Sequence, residues 1–247
     1  MKSVVSFTLT TLSLSFALNA FASDAPHWGY EGSEGPAQWG DLSSEYSECK
    51  LGHNQSPVNI THAVKGDLSD LTLNYKAGGD QIINNGHTVQ VNYEPGSTLT
   101  LDGHSYELKQ FHFHTPSENE IEGQHYPMEG HFVHADKDGN LAVLAVMFDG
   151  AKTNPELAKA WSQMPKANDG QHTLATAIDA NQLLPTDHSY YRFNGSLTTP
   201  PCSEGVVWLM MKNVEPASEE QVSQLHETLH HDNNRPVQPL NARVILQ

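Results

Sequence analysis

The chain has 247 residues, with 29 acidic against 13 basic side chains and a formal net charge of −16. That balance argues against nucleic acid and against an anionic membrane surface as partners. The length suits one domain with a sizeable core and does not require two.

Residues 1–22 read as a secretory signal peptide. Lys2 gives a short positive start, an uncharged run follows from Val4 to Ala20, and Ala20-Phe21-Ala22 matches a small-x-small cleavage pattern. The run is too short and too rich in Ser and Thr for a membrane span. No membrane insertion is therefore expected after cleavage, and the mature domain, 23–247, is expected in the periplasm. Its two cysteines, Cys49 and Cys202, form an even pair in an exported chain, which reads as one disulfide.

Strand signals then recur between turns. "HTVQVNYE" (87–94) alternates, as does "STLTLDG" (97–103), and "SYELKQFHFH" (105–114), "GHFVHAD" (130–136), "LAVLAVMFDG" (141–150) and "GVVWLMMKNV" (205–214) follow. "LAVLAVMF" is apolar throughout and predicts a central strand buried on both faces. Helices are expected over 155–163 and 218–230, the second capped by Ser218 with Glu219 and Glu220 in its first turn. The fold class is mainly β (α+β): one domain on a large, mostly antiparallel sheet with a few short peripheral helices.

Within the third of these strands lies "QFHFHTPSENE" (110–120). Successive strand side chains point to opposite faces. His112 and His114 therefore share a face with Gln110, and Phe111 and Phe113 share the core face. A third histidine, His131, stands 17 residues after His114 in "PMEGHFVHAD", with Glu129 two positions earlier on the same face and His134 on the other. Two imidazoles on one strand and a third on a neighbour make a three-histidine metal site with an open fourth position, the pattern of catalytic zinc. Glu129 is placed to accept the other ring N–H of His131. Cupins also use His-x-His followed by a carboxylate, here Glu118, but Tyr106 stands where their motif wants glycine and their second motif is missing. Copper–zinc superoxide dismutases share the "FHxH" stretch but need further ligands and Gly-rich loops. A zinc carrier would bring His-rich tracts.

Eight segments in order decide between these readings: "HWGYEG" (27–32), "QSPVNI" (55–60), "NNGH" (84–87), "QFHFH" (110–114), "SEN" (117–119), "EGHFVH" (129–134), "GSLTTPPCSEGVVW" (195–208) and "NNRPVQPLNAR" (233–243). Over almost the whole mature length the chain resembles the α-class carbonic anhydrases. The resemblance implies a zinc enzyme for the reversible hydration of carbon dioxide to bicarbonate and a proton through zinc-bound hydroxide. It implies one Zn²⁺ per chain on His112, His114 and His131, with Glu129 and Gln110 behind His131 and His112. Thr198 matches the residue that donates to a buried carboxylate, Glu118, and accepts from the attacking oxygen. An ionised carboxylate can only accept, so the direction of that relay is set. His87 matches the proton shuttle, and Tyr30 and Asn85 the groups that order water between shuttle and metal. An imidazole suits proton export, because its reference pKa lies near that of water activated on zinc.

Thr198 and Thr199 with an apolar wall of Val133, Val143, Leu197 and Trp208 are implied to receive the substrate, and Cys49 and Cys202 match the disulfide of exported relatives. Sulfonamides and small anions are expected as inhibitors at the metal. Periplasmic relatives often form a homodimer, which carries over as an expectation. The sequence departs from many relatives at Phe193, where they have Tyr. A non-catalytic zinc-binding or interaction module on the same fold is the alternative, but relatives of that kind lack at least one zinc histidine.

Overall fold

The computed structural model describes residues 26–247 except 167 and 169. The expected signal peptide lies outside the described residues. Among them, eleven strands form one sheet, with a path of Gly170–Ile178, Gly79–Asn84, Val89–Tyr93, His104–His114, Met128–Ala135, Leu141–Asp149, Glu204–Met211 and Tyr190–Ser196. Most neighbours are antiparallel. Leu141–Asp149 is the exception, pairing in parallel with Glu204–Met211 and with Glu215–Pro216. A mainly β domain with a mostly antiparallel sheet is what the sequence predicts.

The six expected strands all form, with ends displaced by no more than three residues, as is usual for elements that fray. The apolar run becomes the Leu141–Asp149 strand, whose seven inner residues are all buried. Three strands of the path escaped the sequence reading. Gly170–Ile178 is largely exposed at a sheet end, so no apolar alternation marks it. Gly79–Asn84 opens on a glycine, and Tyr190–Ser196 runs into the Gly-Ser turn signal. The helices form over Pro155–Trp161 and Glu219–Leu229. Ser218 caps the latter as expected, and its Oγ accepts from the Gln221 backbone N–H while the Gln221 side chain reaches back to the Ser218 N–H.

Two clusters cover the two faces of the sheet. The larger takes Phe111, Phe113, Phe132, Phe148 and Trp161, with the two helices packed over it. Opposite Phe113 in the register stands Gly130. A Cβ there would lie 3.2 Å from the Phe113 ring, so a side chain at 130 would compete with that phenylalanine for space. The smaller cluster gathers Val143, Ala145, Met147, Phe193 and Trp208, on the face that carries the three histidines.

Candidate metal centre

Strand register assembles the site in rows. His112 stands directly opposite His131, and the row continues to Gln90 on one side and Ala145 on the other. One row along, Gln110 faces Val133, Val133 faces Val143, and Val143 faces Trp208. On the other flank His114 faces Glu129. Alternation then places all three imidazoles on one side of the sheet, with ring centroids 4.5–5.3 Å apart. One ring nitrogen from each lies within 4.8 Å of the others, and among the described residues this is the one such group of three or more potential ligands.

The remaining nitrogen of each ring is held by an acceptor. His112 Nδ1 donates to Gln110 Oε1 at 2.8 Å, His114 Nδ1 to the Asn233 carbonyl at 2.7 Å, and His131 Nε2 to Glu129 Oε1 at 2.9 Å. These bonds fix the tautomers, leaving His112 Nε2, His114 Nε2 and His131 Nδ1 as bare lone pairs. Burial lowers the pKa of all three rings, reinforced by the neighbouring imidazoles for His112 and His131. Neutral rings are what metal ligation requires. His114 Nε2 is buried with no hydrogen-bond partner. An unpaired polar atom in such a place is costly unless a cation accepts its lone pair, so the donor set fits a zinc ion.

Glu129 is fully buried, yet its carboxylate accepts from His131, from the Asn119 side chain, and from the backbone N–H groups of Glu118 and Asn119. Burial raises its pKa and the Asn119 and Glu118 donors oppose the rise. Glu118 Oε1 accepts from the Arg235 backbone N–H at 2.9 Å, and Oε2 faces His114 Nε2 at 3.5 Å. Burial pushes this carboxyl well above the usual range, while the Arg235 N–H and the Thr198 hydroxyl pull it down.

A cavity of about 150 Å³ reaches the histidines and is lined by His112, His114, Gln110, Thr199, Tyr30, Asn85 and His87. Val133, Val143, Leu197 and Trp208 lie together in the smaller apolar cluster, with the Trp208 ring 4.9 Å from that of His131. Phe193 packs parallel to Trp208 in the same cluster. Asn85 Oδ1 accepts from the backbone N–H groups of His87 and Thr88, so this residue also shapes the turn that carries His87. The Cys49–Cys202 disulfide is present, and the Cys202 N–H donates to the Thr199 carbonyl, tying the bridge to the threonine loop.

Asn233 is the main participant that sequence reasoning missed. Beyond its carbonyl on His114, its side chain accepts from Thr115 N–H and donates to the carbonyls of His87 and Phe113. The block "NNRPVQPLNAR" was the available signal, but it assigns no role to a main-chain carbonyl. Gln90, lining the cavity beside Gln110, was also missed.

The comparisons with known proteins agree with this geometry. The family model for eukaryotic-type carbonic anhydrase matches residues 34–247. A carbonic anhydrase of Pectobacterium carotovorum is 52% identical over 235 residues, covering 95% of this chain and 96% of the relative. One of Neisseria gonorrhoeae is 49% identical, covering 96% of each. The solved α-carbonic anhydrase of Thermovibrio ammonificans, in complex with the inhibitor sulfanilamide, superposes with a TM-score of 0.89 at 49% identity, over 91% of this chain and all of that one. With its three-histidine centre on the matched sheet, the chain belongs to the eukaryotic-type, or α, carbonic anhydrase family.

Proposed function

We infer that the protein is a zinc carbonic anhydrase interconverting carbon dioxide and water with bicarbonate and a proton. The observation that carries this reading is the set of three buried or half-buried imidazoles, each locked in one tautomer with its inner nitrogen bare. His112, His114 and His131 would hold Zn²⁺, which supplies a Lewis acid able to activate water near neutral pH. The residues around it do the rest. Thr198 donates a hydrogen bond from its hydroxyl to Glu118 and so turns a lone pair toward the attacking oxygen, which orients the nucleophile. Val133, Val143, Leu197 and Trp208 offer carbon dioxide an apolar wall and leave its carbon exposed to attack. Thr199 stands at the polar side of the cavity, where bicarbonate departs. His87, on the Asn85 turn at the cavity wall, receives the product proton through water ordered by Tyr30 and Asn85 and carries it outward.

Sulfonamides and small anions are expected to compete at the metal, in line with the sulfanilamide complex of the Thermovibrio relative. Export to an oxidising compartment is supported by the disulfide. No helix among the described residues is long and apolar enough to cross a membrane.

The test is zinc content and CO₂ hydration in wild type and in His112→Ala, His114→Ala and His131→Ala. Each variant is expected to lose hydration and to retain zinc poorly, since two imidazoles compete badly with water for the ion. Full activity with stoichiometric zinc in any of them would falsify the assignment.

A further inference from the structure

The turn that carries His87 is held from two sides. Gly86, at φ +81°, and His87 each present one backbone N–H and one carbonyl. The N–H groups are satisfied within the turn: that of Gly86 donates to Asn84 Oδ1 at 3.0 Å and that of His87 to Asn85 Oδ1 at 3.0 Å. The carbonyls take their donors from the segment 231–233. Asn233 Nδ2 donates to the His87 carbonyl at 3.0 Å, and His231 Nε2 lies 3.1 Å from the Gly86 carbonyl. Asn233 also binds His114 and Thr115, so it serves ligand and turn at once. The contacts of His231 go to the turn, to Asp232 and to Tyr30.

The His231 ring stacks on Tyr30 with centroids 5.5 Å apart and planes 28° from parallel. Tyr30 meets Trp28 edge-on at 5.6 Å, and the His87 ring stacks on Trp28 at 3.8 Å. A closed circuit results. One arm runs from His231 through the Gly86 carbonyl to the His87 backbone, the other through Tyr30 and Trp28 to the His87 ring.

We propose that His231 is a positioning residue for proton export. By donating from Nε2 to the Gly86 carbonyl and stacking on Tyr30, it holds the His87 turn in register with the aromatic wall on which the shuttle ring rests. The proposal rests on the reading of His87 as the shuttle. Transfer through ordered water needs each group at hydrogen-bond distance from the next, and a small displacement of a positioned group costs rate out of proportion to its size. A glycine at positive φ leaves the turn conformationally free, so donors from outside it must supply the restraint. The tautomer follows from exposure. His231 Nδ1 faces the Asp232 carbonyl at 3.0 Å, and a neutral ring donates only once. Asp232 is exposed and open to water, whereas Gly86 is half-buried, so the ring proton belongs on Nε2, toward Gly86.

The experiment uses the zinc-loaded wild type, His231→Ala, His231→Gln, His87→Ala and the double variant His87→Ala with His231→Ala. kcat and kcat/KM are measured from low to high imidazole buffer. His231→Ala is expected to lower kcat roughly threefold at low buffer, to leave kcat/KM unchanged, and to recover at high buffer. His231→Gln, whose amide N–H can replace Nε2–H, should keep most of the wild-type kcat. His87→Ala is expected to lose about tenfold or more in kcat, and the double variant no more than that, because no shuttle is left to position. A second readout is free of metal and turnover: in the metal-free protein, the amides of Gly86, His87 and Thr88 should exchange with solvent faster in His231→Ala than in wild type. Unchanged kcat in His231→Ala beside a loss in His87→Ala overturns the positioning role and leaves the shuttle standing. So do unchanged exchange at those amides, a fall in kcat/KM with His231→Ala, a loss in His231→Gln equal to that in His231→Ala, or losses that multiply in the double variant. No loss in His87→Ala removes the shuttle itself, and the role of His231 with it.

Discussion

Asn233 and Thr198 illustrate two ways a single residue serves this site. Asn233 acts on His114 through its main chain and on the ligand strand through its carboxamide. Thr198, almost wholly buried, carries a hydroxyl that lowers the pKa of Glu118. If that hydroxyl orients the attacking oxygen, Thr198→Ala should lower kcat/KM by about 10²-fold, the cost typical of losing one oriented hydrogen bond in a transition state. Zinc content should be unaffected, because Thr198 is not a ligand, and Thr198→Ser should keep most of the activity. Steady-state hydration with metal analysis checks this. Wild-type kcat/KM in Thr198→Ala would refute the assigned role.

A strand that uses both faces places function on one and structure on the other. Met128–Ala135 turns His131 to the metal face and His134 away from it. His134 is fully buried, donates from Nδ1 to the Ala142 carbonyl at 3.2 Å and accepts at Nε2 from the Tyr75 hydroxyl at 2.6 Å. Burial lowers its pKa from 6.5 to about 4. Between those values the unfolded chain binds a proton that the folded chain refuses. The contribution of His134 is therefore complete above pH 6.5 and is lost as pH falls toward 4, amounting to about 3 kcal/mol. Urea unfolding of wild type and His134→Asn across pH 7.5 to 4 measures it: the difference between the two should shrink by about that amount. A constant difference would show that His134 does not drive acid sensitivity. Tyr75→Phe should separately cost about 1–3 kcal/mol, because it leaves a buried imidazole nitrogen without its donor.

Across the whole molecule, segments far apart in sequence converge behind the site. The Cys49–Cys202 bridge closes a separation of 153 residues. Arg235, 1% exposed, donates from its guanidinium to Gln55 Oε1 and to the carbonyls of Ser56 and Cys49, while its backbone N–H holds Glu118. Burial lowers its pKa to about 10, with Glu118 opposing the drop, so it remains a cation at neutral pH. In the chain-entropy account a loop of this length makes the disulfide worth about 5 kcal/mol, an upper figure. Reductant should thus lower the denaturation midpoint substantially while the three histidines, none of which is part of the bridge, stay in place. Denaturant unfolding with and without reductant, followed by metal analysis of the native fraction, tests the point. An unchanged midpoint would show that the bridge contributes nothing to stability.

Local periodicity determined much of this protein. Alternation sorted Phe111 and Phe113 from His112 and His114, an unbroken apolar run marked the Leu141–Asp149 strand, and Ser218 announced its helix. These features are legible because side-chain direction follows the local backbone. The three-histidine set came from alternation on two strands, the roles of the residues around it from motifs in order, and the paired cysteines from their even count in a chain read as exported. Tertiary structure alone decided the rest. Which strands neighbour one another, and that Glu204–Met211 joins Leu141–Asp149 in parallel, depends on long-range register that no window of sequence contains. Edge strands such as Gly170–Ile178 carry little burial and hence no apolar pattern. The Asn233 carbonyl on His114 was invisible because every residue has a carbonyl. The Tyr75–His134 bond and the approach of His27 to His87 join positions 59 and 60 residues apart, and only the folded chain brings such side chains together.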